Sequence, residues 1–84
     1  MPPLSIAVAA APEGGFLATV SWDKTQPAPL GGCVHRYRTN PRGMGLWRAD
    51  SSGSQWEQVA VESDFVADSL PTMRRQLARL LGVT

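Results

Sequence analysis

The sequence predicts an α+β fold, in which a four- to five-stranded, mostly antiparallel sheet carries one C-terminal amphipathic helix packed on one face. Large apolar residues alternate with small or polar ones over about residues 4–61, and turn signals interrupt the alternation. After residue 61 the apolar spacing changes to three and four, which indicates a helix over about residues 70–82. We expect residues 1–84 to form a single small domain, because a chain of this length can bury only one core.

The first hairpin unit is predicted by two alternating segments on either side of a Pro-Glu-Gly-Gly turn at residues 12–15. The residues expected on its buried face are Leu4, Ile6 and Val8, followed by Phe16, Ala18, Val20 and Trp22. Residues 6–22 resemble the N-terminal hairpin of the HicB antitoxin family. Members of that family often begin with an apolar strand, an acidic Gly turn and a short strand that starts with Gly-Phe. The sequence after this hairpin departs from that family, so the resemblance assigns no residue a role.

Residues 23–32 contain two prolines and two glycines and are predicted to form a loop. Its length of roughly ten residues exceeds the usual connection of about 4–6 residues. We interpret it as a crossover between the two hairpin units, with a functional loop as the alternative.

Three more strands are predicted in the second unit. A strand of about residues 32–39 leads into an Asn-Pro-Arg-Gly turn at residues 40–43. A hairpin of residues 45–50 and 54–61 then closes through Asp-Ser-Ser-Gly, with Gly53 at a positive φ.

Two registers are open for this last hairpin. A three-residue loop would set Trp47 opposite Glu57 and Arg48 opposite Trp56. A two-residue loop would set Ala49 opposite Trp56 and Arg48 opposite Glu57. We favour the first register, because it would stack Arg48 on the Trp56 ring in a cation–π pair of about 0.5–1 kcal/mol.

The helix is predicted from its apolar stripe and its end signals. One short helical turn could form over residues 63–70, but Pro71 disfavours helical dihedrals at the preceding residue, so the main helix should begin at about residues 69–71. Asp68 or Ser69 is expected to cap it, and Gly82 to end it. The stripe consists of Leu70, Met73, Leu77, Leu80 and Leu81.

Arginine and aromatic residues are concentrated in the second hairpin unit, and they form the predicted partner-binding site. Its members are Arg36, Tyr37, Arg38, Arg42, Trp47 and Arg48. This composition is typical of protein-interface hot spots, and it also suits a platform on which single-stranded nucleic acid stacks. The alternative is that the arginines form a solvated face and the aromatics belong to the core. Three helix arginines, Arg74, Arg75 and Arg79, form a secondary basic cluster.

Candidates for catalysis are few. Cys33 and His35 lie two residues apart and could share one side of a strand, with Asp23 as a conceivable acid, but a nucleophile and base also need a fixed acid and an oxyanion hole. A single cysteine and a single histidine leave a metal site without enough ligands. The paired glycines precede no helix, so they do not form a phosphate-binding loop. We therefore expect no enzyme activity, no metal and no cofactor.

These observations predict a non-catalytic, protein-binding module that regulates or inhibits a larger complex, such as one that handles nucleic acid. Small stand-alone domains of this kind are common among phage and mobile-element proteins that block host defence, of which anti-CRISPR proteins are one group. A small nucleic-acid-binding domain is the alternative, although a formal net charge of +1 does not favour it. We expect a cytoplasmic protein without a signal peptide or membrane contact, and the small core leaves homodimerisation open.

Overall fold

Five antiparallel strands and one helix make up the structure, a computed structural model that describes residues 5–25, 33–49 and 53–82. The elements are β1 (Ser5–Ala10), β2 (Phe16–Ser21), β3 (Val34–Arg38), β4 (Leu46–Ala49), β5 (Glu57–Ala60) and α1 (Leu70–Leu80). Each strand pairs with the next one in the chain, so the sheet order is β1-β2-β3-β4-β5. The predicted α+β fold is confirmed, with five strands in the sheet.

The β1–β2 turn has the predicted glycine chemistry. The Ala11 carbonyl accepts a hydrogen bond of 3.1 Å from Gly14 N–H, and Ala11 N–H donates to the Gly15 carbonyl at 3.0 Å. Gly15 has a φ of +77°, and a Cβ atom at this position would overlap the carbonyl oxygen of Asn40. The first turn is therefore packed directly against the second one.

The β3–β4 turn also forms as expected. Gly43 N–H donates to the Asn40 carbonyl at 2.9 Å, and the Asn40 side-chain Oδ1 accepts from Arg42 N–H at 2.9 Å. Thr39 Oγ1 accepts from Phe16 N–H at 3.0 Å and donates to the Asn40 carbonyl at 2.8 Å. These bonds join the two turns at one end of the sheet.

The favoured register of the last hairpin was wrong. Arg48 lies opposite Glu57, and Trp47 lies opposite Gln58. The pairing shifts between Leu46 and Trp47 in a bulge, which lengthens one strand relative to the other. The Arg48–Glu57 pair belongs to the alternative register, and its 2.9 Å salt bridge is an electrostatic reason for it. Gly53 has the expected positive φ, whereas residues 50–52 lie outside the described residues.

A single turn does form before the helix, where Asp64 and Phe65 N–H both donate to the Val61 carbonyl, at 3.0 and 3.2 Å, but the chain is then extended over residues 65–67. Val66 forms a β-bridge with Met44, Gly45 N–H donates to the Phe65 carbonyl at 2.8 Å, and Ala67 N–H donates to the Gly43 carbonyl at 2.8 Å. Phe65 and Ala67 are both buried. This short extended segment therefore adds an aromatic side chain to the core.

The helix begins and ends as predicted. Ser69 is the N-cap, its Oγ accepting from Thr72 N–H at 3.3 Å, and Gly82 follows the C-cap with a φ of +79°. Met73 and Leu77 are fully buried against the sheet. The predicted stripe is too wide, because Leu70 and Leu80 are 40% and 47% exposed.

The core lies between α1 and one face of the sheet. Its buried members are Ala18, Val20, Trp22, Tyr37, Leu46, Phe65, Ala67, Met73 and Leu77. Ile6 and Val8 pack against it as predicted, whereas Leu4 and residues 26–32 of the predicted loop lie outside the described residues. No helix in the described part of the chain is both long and apolar enough to cross a membrane.

Candidate binding face

The open face is the side of the sheet that α1 does not cover, and the strand registers show which residues it carries. Ala18 lies opposite Tyr37 and Val20 opposite His35, on the side of the core. The alternate pairs, Leu17 with Arg38 and Thr19 with Arg36, must therefore point to the other side. The open face includes Leu17, Thr19, Arg36, Arg38, Trp47, Trp56 and Gln58.

Arg38 is the central residue of the open face. Trp47 lies directly opposite Arg38 on β4. The guanidinium carbon of Arg38 is 4.4 Å from the centre of the Trp56 ring. The predicted stacking on Trp56 thus occurs with Arg38 instead of Arg48, because the observed register turns Arg48 to the other side of the sheet. A cation–π contact at an exposed site contributes about 0.5–1 kcal/mol and holds both side chains in place.

Arg42 and Arg48 form ion pairs with carboxylates, whereas Arg36 and Arg38 form none with the described residues. Arg42 lies 3.5 Å from Glu62, and Arg48 lies 2.9 Å from Glu57. Within residues 5–25, 33–49 and 53–82, no carboxylate reaches ion-pair distance of Arg36 or Arg38. Their charge on the open face is therefore not neutralised by the described part of the chain.

Tyr37 and Arg48 lie away from the open face. Tyr37 is 2% exposed within the core. Burial raises the pKa of Tyr37, while the positive charge of Arg48 and a hydrogen bond from it act to lower the same pKa. Tyr37 and Arg48 therefore lie on the helix-covered side of the sheet. The structure does not bring them together with Arg36 in one binding site.

The remaining predicted basic residues are also dispersed. Arg42 is exposed in the β3–β4 turn. Arg74, Arg75 and Arg79 are exposed on α1, so this secondary cluster lies on the opposite side of the sheet from Arg36 and Arg38. The two basic groups do not form one continuous surface.

A cleft, here called the turn cleft, lies at the end of the open face where the two turns meet. It has a volume of about 320 Å³. Leu17, Arg38 and Trp47 form its strand side, while Gly14, Asn40 and Pro41 belong to its turn side. Ala11, Glu13 and Thr39 complete the lining. The turn cleft thus combines a guanidinium group with apolar walls.

The Cys33–His35 pair is built into the edge of the core. Cys33 packs against the core just before β3, and its carbonyl accepts from Trp22 N–H at 2.9 Å. Asp23 accepts hydrogen bonds from the backbone N–H and the hydroxyl of Thr25, which lower the pKa of this carboxyl and shape a local turn. Among the described residues, no group of three or more His, Cys, Asp or Glu side chains could hold a metal ion.

Leu17, Thr19 and Trp56 were not among the predicted site residues. A signal for Leu17 and Thr19 was present, because they alternate out of phase with the partly buried Phe16 and the buried Ala18 and Val20. Trp56 lies outside the regular strands, so alternation alone could not assign it to a face.

Comparisons of the chain with models of protein families, with curated proteins and with solved structures found no match.

Proposed function

We propose that this chain is a non-catalytic module that binds another protein through its open face. The observation that carries the proposal is the grouping of Arg36, Arg38, Trp47 and Trp56 on the one sheet face that α1 leaves uncovered. Arginine and tryptophan are the residues most enriched in the energetic centres of protein interfaces. A rigid sheet also presents these side chains at little cost in conformational entropy, which favours binding.

The geometry supports a protein partner better than a nucleic acid. Stacking of bases needs uncovered aromatic faces, and the guanidinium group of Arg38 already occupies one face of Trp56. Arg48 lies on the helix-covered side and Arg42 in the β3–β4 turn, so the open face carries two arginines and not four. Two cations offer few phosphate contacts, whereas two are enough to select an acidic protein surface.

The finer proposal is that binding regulates or inhibits a larger complex by covering one of its surfaces. A phage or mobile-element inhibitor of a nucleic-acid-handling complex, as anti-CRISPR proteins are, is one form of it, supported by small size and not by a motif. We place this action in the cytoplasm, where the single cysteine would stay reduced.

Affinity capture from a lysate of the source cells, with the whole chain immobilised, tests the proposal. We expect a defined partner to bind the wild type and to be lost with the open-face variant Arg36→Glu, Arg38→Glu. The matched helix variant Arg74→Glu, Arg75→Glu carries the same change in charge and should retain the partner. The proposal would be contradicted if the open-face variant captured the partner as well as the helix variant does, or if both variants lost it.

Fluorescence-anisotropy titration of labelled single- and double-stranded oligonucleotides tests the alternative with the same variants. Micromolar binding that weakens with salt and disappears in the open-face variant would establish the nucleic-acid function in place of the proposed one.

A further inference from the structure

We infer that the turn cleft is the specificity site of the open face and binds an aromatic or aliphatic side chain next to a carboxylate in an acidic segment of a partner protein. This inference rests on the proposed function and names the chemistry of the partner. It is carried by the size of the cleft, its apolar walls and the single cation that faces it.

The size of the cleft limits its occupant. About 320 Å³ is at the lower end of the range for small-ligand sites, so the cleft has room for one or two side chains but not for a large cofactor. Thr19 and Arg36 lie next to it on the same face of β2 and β3, so an extended segment could continue over them. A peptide would therefore place one anchoring side chain in the cleft and the following residues on the sheet.

The walls favour an apolar anchor. Leu17 on β2 and Trp47 on β4 lie on either side of Arg38, and Leu17 is 36% exposed. Covering these groups removes apolar surface from water, and a tryptophan in a pocket is the usual centre of an interface hot spot.

The polar groups of the cleft select a carboxylate. Thr39 Oγ1 donates to the Asn40 carbonyl, and Asn40 Nδ2 donates to Glu62 Oε1. Arg38 is the cation in the lining of the cleft, and its contact with the Trp56 ring holds the guanidinium group in position for a carboxylate. Glu13 also lines the cleft and repels a polyanion, so a single carboxylate directed at Arg38 fits better than a phosphate chain.

Titration of the ¹⁵N-labelled whole chain with blocked tetrapeptides, followed by NMR, tests the inference. The probes are acetyl-Gly-Phe-Glu-Gly-amide and its Glu→Gln counterpart, which differ only in the charge. We expect millimolar binding of the Glu peptide with shifts at the Trp47 indole and the Leu17 amide, and about tenfold weaker binding of the Gln peptide, because a charge-assisted hydrogen bond is lost. The Trp22 indole, buried on the other side of the sheet, should not move.

Arg38→Gln should weaken the Glu peptide about tenfold and remove the difference between the two peptides, whereas the matched Arg74→Gln, at an exposed position on α1, should change neither result by more than about twofold. Equal affinity for both peptides in the wild type, or shifts that avoid the turn cleft, would overturn the inference. Tighter binding of the dinucleotide pTpT at the cleft would also overturn it, in favour of a phosphate site. If Arg36→Glu, Arg38→Glu abolishes partner capture while no tetrapeptide binds, the inference fails and the proposed function stands.

Discussion

The two faces of β2 and β3 differ in what their side chains contact: one face packs in the core and the other is left uncovered by α1. Ala18, Val20 and Tyr37 point into the core and are almost fully buried, whereas Leu17 and Arg38 are paired on the open face. One step along a strand thus separates a side chain that stabilises the fold from one that is available to a partner. The comparison teaches that stability and binding can be altered separately here, even though the backbone is shared.

The largest effect should come from placing a charge on the wrong face. Val20→Asp puts an unpaired carboxylate at a fully buried position, and we expect a loss of about 4 kcal/mol or more in the free energy of unfolding. Urea denaturation followed by circular dichroism measures this loss. The matched neighbour Thr19→Asp, on the open face, should change stability by no more than about 0.5 kcal/mol. Similar losses for both variants would break the comparison.

A smaller loss in the free energy of unfolding should follow from a change at Tyr37, the only tyrosine in the chain. Tyr37→Phe should cost about 0.5–1.5 kcal/mol at neutral pH, since it removes the hydroxyl that is hydrogen-bonded to Arg48. Because burial raises the pKa of the folded-state hydroxyl, the proton is held more tightly in the folded protein than in the unfolded chain. The stability due to Tyr37 is therefore complete below its unfolded pKa of about 10 and is lost as the pH rises from there through the folded pKa.

Unfolding measured in urea from neutral pH to about pH 11 should show this loss in the wild type, with Tyr37→Phe as the control for every other titrating group. Absorbance of the single tyrosinate gives the folded pKa directly. A tyrosine that titrates at its ordinary pKa in the folded chain would show that the helix-covered face is open to water.

The smallest effect concerns the contact between Arg38 and Trp56 on the open face. A double-mutant cycle with Arg38→Gln and Trp56→Leu should give a coupling free energy of about 0.5–1 kcal/mol in urea denaturation. The same cycle with Arg74→Gln, at an exposed position on α1, in place of Arg38→Gln should give a value close to zero. A coupling free energy close to zero for Arg38 and Trp56 as well would show that the two side chains do not stack in solution.

The fold could be predicted because its local signals agree with one another. Period-two alternation, glycine turns and a capped helix each specify one element, and no two of them conflict. The last hairpin shows the limit of this approach. Each register gave Arg48 a suitable partner, Trp56 in one and Glu57 in the other, so the turn sequence alone did not decide between them. The bulge between Leu46 and Trp47 also has no turn signal in the sequence.

The candidate site was less predictable than the fold. Alternation places Arg36 and Arg38 on one face of their strand and Tyr37 on the other, but it does not say which of these faces the helix covers. Stacking of Arg38 on Trp56 joins residues from non-adjacent parts of the chain, and the turn cleft arises where two turns meet. Such features depend on the relative positions of several elements, which no local pattern encodes.

The packing of α1 against β1 has a consequence for the order of folding. The β1–β2 and β3–β4 hairpins join neighbouring segments and can form within microseconds. Ile6 and Val8 of β1, however, remain without their helical cover until all the intervening strands and α1 have been synthesised. Closing this long loop is entropically costly, so we expect the docking of α1 to be the late, rate-limiting step that completes the core.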